Sequence, residues 1–189
     1  MTARRIVAAV TGVLGLVGLG FTLLPLLTVN MDDRITLFAP GWYFGGFDYD
    51  ELCSEVPDLC TPTGTIAYQV GFLDFGAFSV VPAVGFVPIV LGLVAAAGAL
   101  QAWRGPHRGG ATTVALLSLG AVLVALFTAF TPTQSIRTTG ELATFSGPSA
   151  LSPELAVTPG AGLIGASIAL VLILALSTWQ SIMDLLARR

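Results

Sequence analysis

Residues 6–29 read IVAAVTGVLGLVGLGFTLLPLLTV, an uncharged run of 24 residues that follows Arg4 and Arg5. A helix of that length, rising about 1.5 Å per residue, crosses a hydrocarbon core of about 30 Å with some tilt. The apolar stretch is longer than a signal peptide needs, and no clean small-x-small cleavage site follows it. It therefore predicts an uncleaved first membrane helix. Gly12, Gly15 and Gly18 recur every third residue, with Ala8 four positions before Gly12. Two readings of this stripe stand side by side: a surface for close approach of another helix, or the ordinary tolerance of membrane helices for glycine.

Three further apolar runs follow, at about 78–103, 111–131 and 160–182. The chain is 54% hydrophobic and only 10% charged, against about a quarter charged in soluble domains. The expected fold is thus an all-α transmembrane four-helix bundle. Pro82 and Pro88 are expected to kink the second span, because each removes a backbone donor. The connection from Arg104 to Gly110 is short enough to make spans two and three antiparallel neighbours.

Charge then predicts the orientation. Arg4, Arg5, Arg104, Arg108, Arg188 and Arg189 fall on one side of these spans, and only Arg34 and Arg137 on the other. By the positive-inside rule both termini are cytoplasmic, which predicts a multi-pass protein of the plasma membrane. Trp179 is placed for the interfacial aromatic belt. No basic stretch suits nucleic acid, and all eight basic residues are arginine, a bias associated with GC-rich bacterial genomes.

The outward-facing segments are residues 30–77 and 132–159. The first holds most of the aromatic residues of the chain, which run from Phe38 to Phe75, with Phe78 just beyond. Such density predicts a folded, β-rich extracytoplasmic cap rather than a disordered connector. Residues 65–72 and 34–38 carry strand-like composition. Cys53 and Cys60 are the only cysteines and are expected to form a disulfide in an oxidising compartment, stabilising the cap by roughly 2–3 kcal/mol. Trp42, Tyr43, Phe44 and Phe47 are the candidate partner-binding anchors, since buried aromatics dominate interface energetics. The competing reading is that they fill the cap's own core. Residues 132–159, rich in Ser, Thr, Pro and Gly, predict a partly ordered outer loop.

Chemistry is sparse in this pattern. No Asp, Glu, Lys, Arg or His lies within the four runs, whereas proton relays and ion pathways place ionisable groups at mid-membrane depth. The acidic run of Asp48, Asp50, Glu51, Glu55 and Asp58 lacks the spacing of a calcium loop and reads as a solvated face or a patch for a basic partner. His107, the sole histidine, has no acid or cysteine beside it and makes neither a metal site nor a catalytic base. The expectation is a protein without catalytic activity, cofactor or metal.

Four spans with both ends inside, and a first outer loop carrying Trp42-Tyr-Phe-Gly-Gly-Phe and then Cys53 and Cys60, resemble the claudin-like architecture. The Gly-Leu-Trp element of that family is absent here. The size, layout and arginine-only composition are also similar to the small four-helix accessory subunits of the actinobacterial respiratory supercomplex of cytochrome bc and cytochrome c oxidase. That resemblance implies a non-catalytic accessory or assembly subunit whose partners are other membrane subunits of a haem-containing respiratory complex, together with membrane lipids. The alternative is a small-molecule or lipid-binding membrane protein, acting as a sensor or transporter partner.

Overall fold

In the computed structural model, which describes residues 3–32, 65–73, 78–105, 109–138 and 156–186, four helices carry the chain. They are α1 (Ala3–Phe21), α2 (Phe86–Arg104), α3 (Gly110–Phe130) and α4 (Ala161–Leu186), and all four are long and apolar enough to cross a membrane. They run alternately up and down, with α1 wedged between α2 and α4, and α3 against α4. The seam between α2 and α3 is the least closely packed of the ring, although these two are joined by the shortest connection.

The bundle is lined with small or branched side chains and clad in large apolar ones. Leu91, Val94, Ala121, Ala125, Ala166, Leu170 and Ile173 are buried, while Leu16, Leu93, Leu116 and Ile168 are each more than half exposed. Exposed leucines on every helix would be a liability in water and are the expected cladding in lipid. This protein is a multi-pass membrane protein.

The first helix stops at Phe21 rather than continuing to Val29. Thr22, Leu23 and Leu24 donate their N–H groups three residues back, to Leu19, Gly20 and Phe21, which tightens the last turn. Pro25 then blocks the helical conformation of Leu24, and the chain continues as strand β1 (Leu27–Asp32). The second helix likewise starts later than expected. Residues 78–80 form strand β3 (Phe78–Val80), and Pro82 lies in the turn before α2. Pro88 is the third residue of α2. A proline in the first turn costs no intrahelical hydrogen bond, so neither proline kinks the helix.

Strand β2 (Thr65–Val70) pairs antiparallel with β1, as its composition predicts. The segment between α3 and α4 carries short strands at both of its described ends. A 3₁₀ turn (Pro132–Ser135) leads into β4 (Ile136–Thr138), which pairs with β3, and β5 (Ala156–Pro159) pairs with the other edge of β1. The resulting sheet, in the order β2-β1-β5, joins the segment after α1 to the one after α3. Leu27, Val29 and Val70 are fully buried and pack with Leu26, Val84 and Leu163, so the sheet is seated on the bundle.

Candidate functional site

The turn at Leu24–Leu26 is where sheet and bundle are locked together. Leu26 donates its N–H to the Val70 carbonyl at 2.8 Å, and its own carbonyl accepts from Gly160 at 2.8 Å. Gly162 donates to the Pro25 carbonyl at 2.9 Å, so one of the otherwise unpaired N–H groups in the first turn of α4 finds its partner in the turn that follows α1. A side chain at Gly160 or Gly162 would overlap the Pro25 or Leu24 carbonyl, which is why glycine stands at both places.

From this junction β1 and β2 run outward together, ending with Asp32 paired to Thr65. The two ends of residues 33–64 are therefore held side by side on adjacent strands. The predicted anchors Trp42, Tyr43, Phe44 and Phe47, and the predicted disulfide pair Cys53 and Cys60, lie outside the described residues, as does the predicted strand at 34–38. Two aromatics of the same segment are placed. Phe72 is buried in the core between sheet and bundle, and Tyr68 is partly exposed on β2.

At the opposite end of the bundle lies a polar cluster that a search for ionisable groups misses. Thr11 of α1, Ser118 of α3, and Ser177 and Gln180 of α4 are all buried. Thr11, Ser177 and Gln180, with Gln101 of α2, line a small cavity of about 10 Å³, close to the volume one water needs. The Ser177 hydroxyl donates to the Ile173 carbonyl at 2.7 Å, whereas the hydroxyls of Thr11 and Ser118 have no partner among the described residues. Further out, Thr112 and Ser181 share a hydrogen bond of 3.4 Å between α3 and α4.

The rim of this end is charged. Arg4 of α1 lies 2.9 Å from Asp184 of α4, an ion pair between the two helices. Arg5 reaches Gly105 at the C-terminus of α2, where the helix dipole favours a cation. Trp103 and Trp179 are both exposed at this end, in keeping with an interfacial aromatic belt. The sequence did carry a sign of the cluster. Ser177, Gln180, Ser181 and Asp184 fall at i, i+3, i+4 and i+7, one polar face on an otherwise apolar helix.

Chemically the lining of this cavity is a set of neutral hydroxyl and amide groups contributed by α1, α2 and α4. The bond between Thr112 and Ser181 at its edge crosses from α3 to α4, the kind of contact that contributes on the order of 1 kcal/mol between membrane helices. Among the described residues no group of three or more His, Cys, Asp or Glu side chains could hold a metal. The small-residue stripe is placed as well. Gly12, Gly15 and Gly18 all face inward, Gly12 and Gly15 against α2, and Gly18 between Leu91 and Ala169. The first of the two readings of that stripe holds, and its partner is a helix of the same chain. Compared with protein-family models, curated proteins and solved structures, the chain matches none.

Proposed function

We propose that this chain is a non-catalytic accessory or assembly subunit of a larger membrane complex, displaying its aromatic outer segment as a docking surface. The observation that supports this reading is the placement of that segment. Residues 33–64 leave from Asp32 and return at Thr65, on paired strands whose inner ends are hydrogen-bonded into the bundle at Leu26. Holding the two ends of the segment together on paired strands removes part of the chain entropy that docking would otherwise cost, which favours association. Of the helices below, α1 and α2 are in backbone contact and α1 also packs closely on α4. They form a mount rather than a passage.

In this reading the protein lies in the plasma membrane with both termini cytoplasmic, and a disulfide between Cys53 and Cys60 braces the segment. Trp42, Tyr43, Phe44 and Phe47 are the anchors. A respiratory supercomplex of cytochrome bc and cytochrome c oxidase is the proposed partner, on the resemblance in layout. The small-residue stripe lends no support to docking, because Ala8, Gly12 and Gly15 are buried within the bundle.

The test is to tag the chain after Arg189 and extract it in mild detergent. Co-purification in fixed ratio with a multi-subunit, haem-containing complex is expected. Replacing Trp42 and Phe44 together by alanine weakens that association by more than about 2 kcal/mol. Recovery of a lone chain without a stoichiometric protein partner overturns the proposal.

A further inference from the structure

The loosely packed seam between α2 and α3 opens, at its sheet-side end, into a groove of about 250 Å³. Val81 and Val84 form one wall at the start of α2, Leu123 and Phe127 form the other on α3, and Gln134 and Ser135 stand in the 3₁₀ turn at the rim. The wall is apolar in its chemistry as well as its composition. Thr128 turns its hydroxyl to the Val124 carbonyl at 2.9 Å, and Ser135 turns its own to the Thr131 carbonyl at 3.3 Å. Neither hydroxyl is left seeking an outside partner, so a polar occupant would lose its hydrogen bonds to water without recovering them here.

Leu123 and Phe127 are both more than half exposed and continue the outward face of α3 formed by Leu116 and Leu119. The groove is thus an indentation in the surface that meets the hydrocarbon. Left unfilled, it would forfeit the dispersion contacts of its lining. A transmembrane helix of another subunit is a poor fit. Helices approach one another over small residues, as Gly12 and Gly98 do inside this bundle, whereas this rim presents bulky leucine and phenylalanine. A narrow, flexible chain fits the indentation better.

We infer that the groove seats one acyl chain of a membrane phospholipid from the leaflet on the sheet side, with the 3₁₀ turn at Gln134 and Ser135 next to the glycerol and headgroup. This inference is independent of the accessory-subunit reading. The lipid fills the seam between α2 and α3 and becomes part of the bundle's outer surface.

The experiment compares the intact chain with Ala83→Trp by native mass spectrometry after extraction in mild detergent. Ala83 lines the groove in the turn before α2 and is exposed, so a large side chain there can enter the groove without displacing the core. Leu116→Trp, on the exposed face of α3, is the control. The expected result is one phospholipid retained per chain in the parent and in Leu116→Trp, and loss of that lipid from Ala83→Trp with its thermal melting preserved. The inference is overturned if the parent retains no phospholipid, if Ala83→Trp retains as much as the parent, or if the mass lost from Ala83→Trp is a polypeptide.

Discussion

Gly98 of α2 lies so close to Gly12 of α1 that a methyl group on Gly98 would overlap the Gly12 backbone. The contact is one of a series along the seam. Gly15 meets Ala95, where an added Cβ would come within 2.7 Å of the Ala95 nitrogen, and Gly18 meets the side chain of Leu91. Because both partners at the closest point are backbone, no rotamer change can relieve a larger residue there.

Two glycines of α2 therefore predict opposite outcomes. Gly98→Ala is expected to destabilise the folded chain by about 1–3 kcal/mol, the usual cost of forcing extra volume into a packed core. Gly92 has nothing within 4 Å of an added Cβ. Gly92→Ala is expected to leave stability unchanged or raise it by up to about 1 kcal/mol, through helix propensity alone. Circular dichroism of both variants unfolded in detergent measures the difference, and equal effects would contradict the seam.

Ser118 offers a test of polar burial within the bundle. It is fully buried in α3, and its hydroxyl has no partner among the described residues. A buried hydroxyl left unpaired costs about 1–3 kcal/mol. Ser118→Ala is therefore expected to stabilise the bundle, whereas Ser177→Ala, which removes a bond to Ile173, brings no such gain. A clear loss of stability in Ser118→Ala would mean that the hydroxyl is paired in the membrane.

The four helices were legible because each is an uninterrupted apolar run, but their outer boundaries were not. Residues 22–29 and 78–85 are as apolar as the helices they adjoin. Hydropathy registers burial, and here Leu26, Leu27 and Val84 are buried under a sheet rather than in lipid. The sign of this was local. Pro25 and Pro82 stand beside β-branched residues at Thr28, Val29, Val80 and Val81, and that combination ends a helix and suits a strand. Strand β5 was hidden for a different reason. Residues 156–159 are only four long and gain their structure by pairing with β1, far away in sequence, so no local propensity announces them. The polar cluster was overlooked because its members carry no charge, although their spacing on α4 was plain in the sequence.

The orientation has its own test, since the helices would pack identically with either end facing the cytoplasm. Six arginines at the end carrying the chain termini predict that this end is cytoplasmic. A single added cysteine at His107 is expected to be shielded from a membrane-impermeant thiol reagent in intact cells, and one at Thr139 is expected to react. The reverse pattern would invert the protein in the membrane.

The last prediction concerns the brace of the outer segment. The register holds Asp32 beside Thr65, so the span between them is already closed at its base. A second closure between Cys53 and Cys60 shortens the free chain further, a contribution of roughly 2–3 kcal/mol on the chain-entropy model. Both cysteines are expected to resist alkylation until a reductant is added. Cys53→Ser is expected to increase proteolytic cutting between residues 33 and 64 while leaving membrane insertion intact, because the hydrogen bonds at Leu26 that seat the sheet on the bundle do not involve that segment. Free thiols in native protein would remove the brace. Loss of insertion in Cys53→Ser would instead mean that the bundle depends on the segment it carries, which the packing of α1 against α2 and α4 argues against.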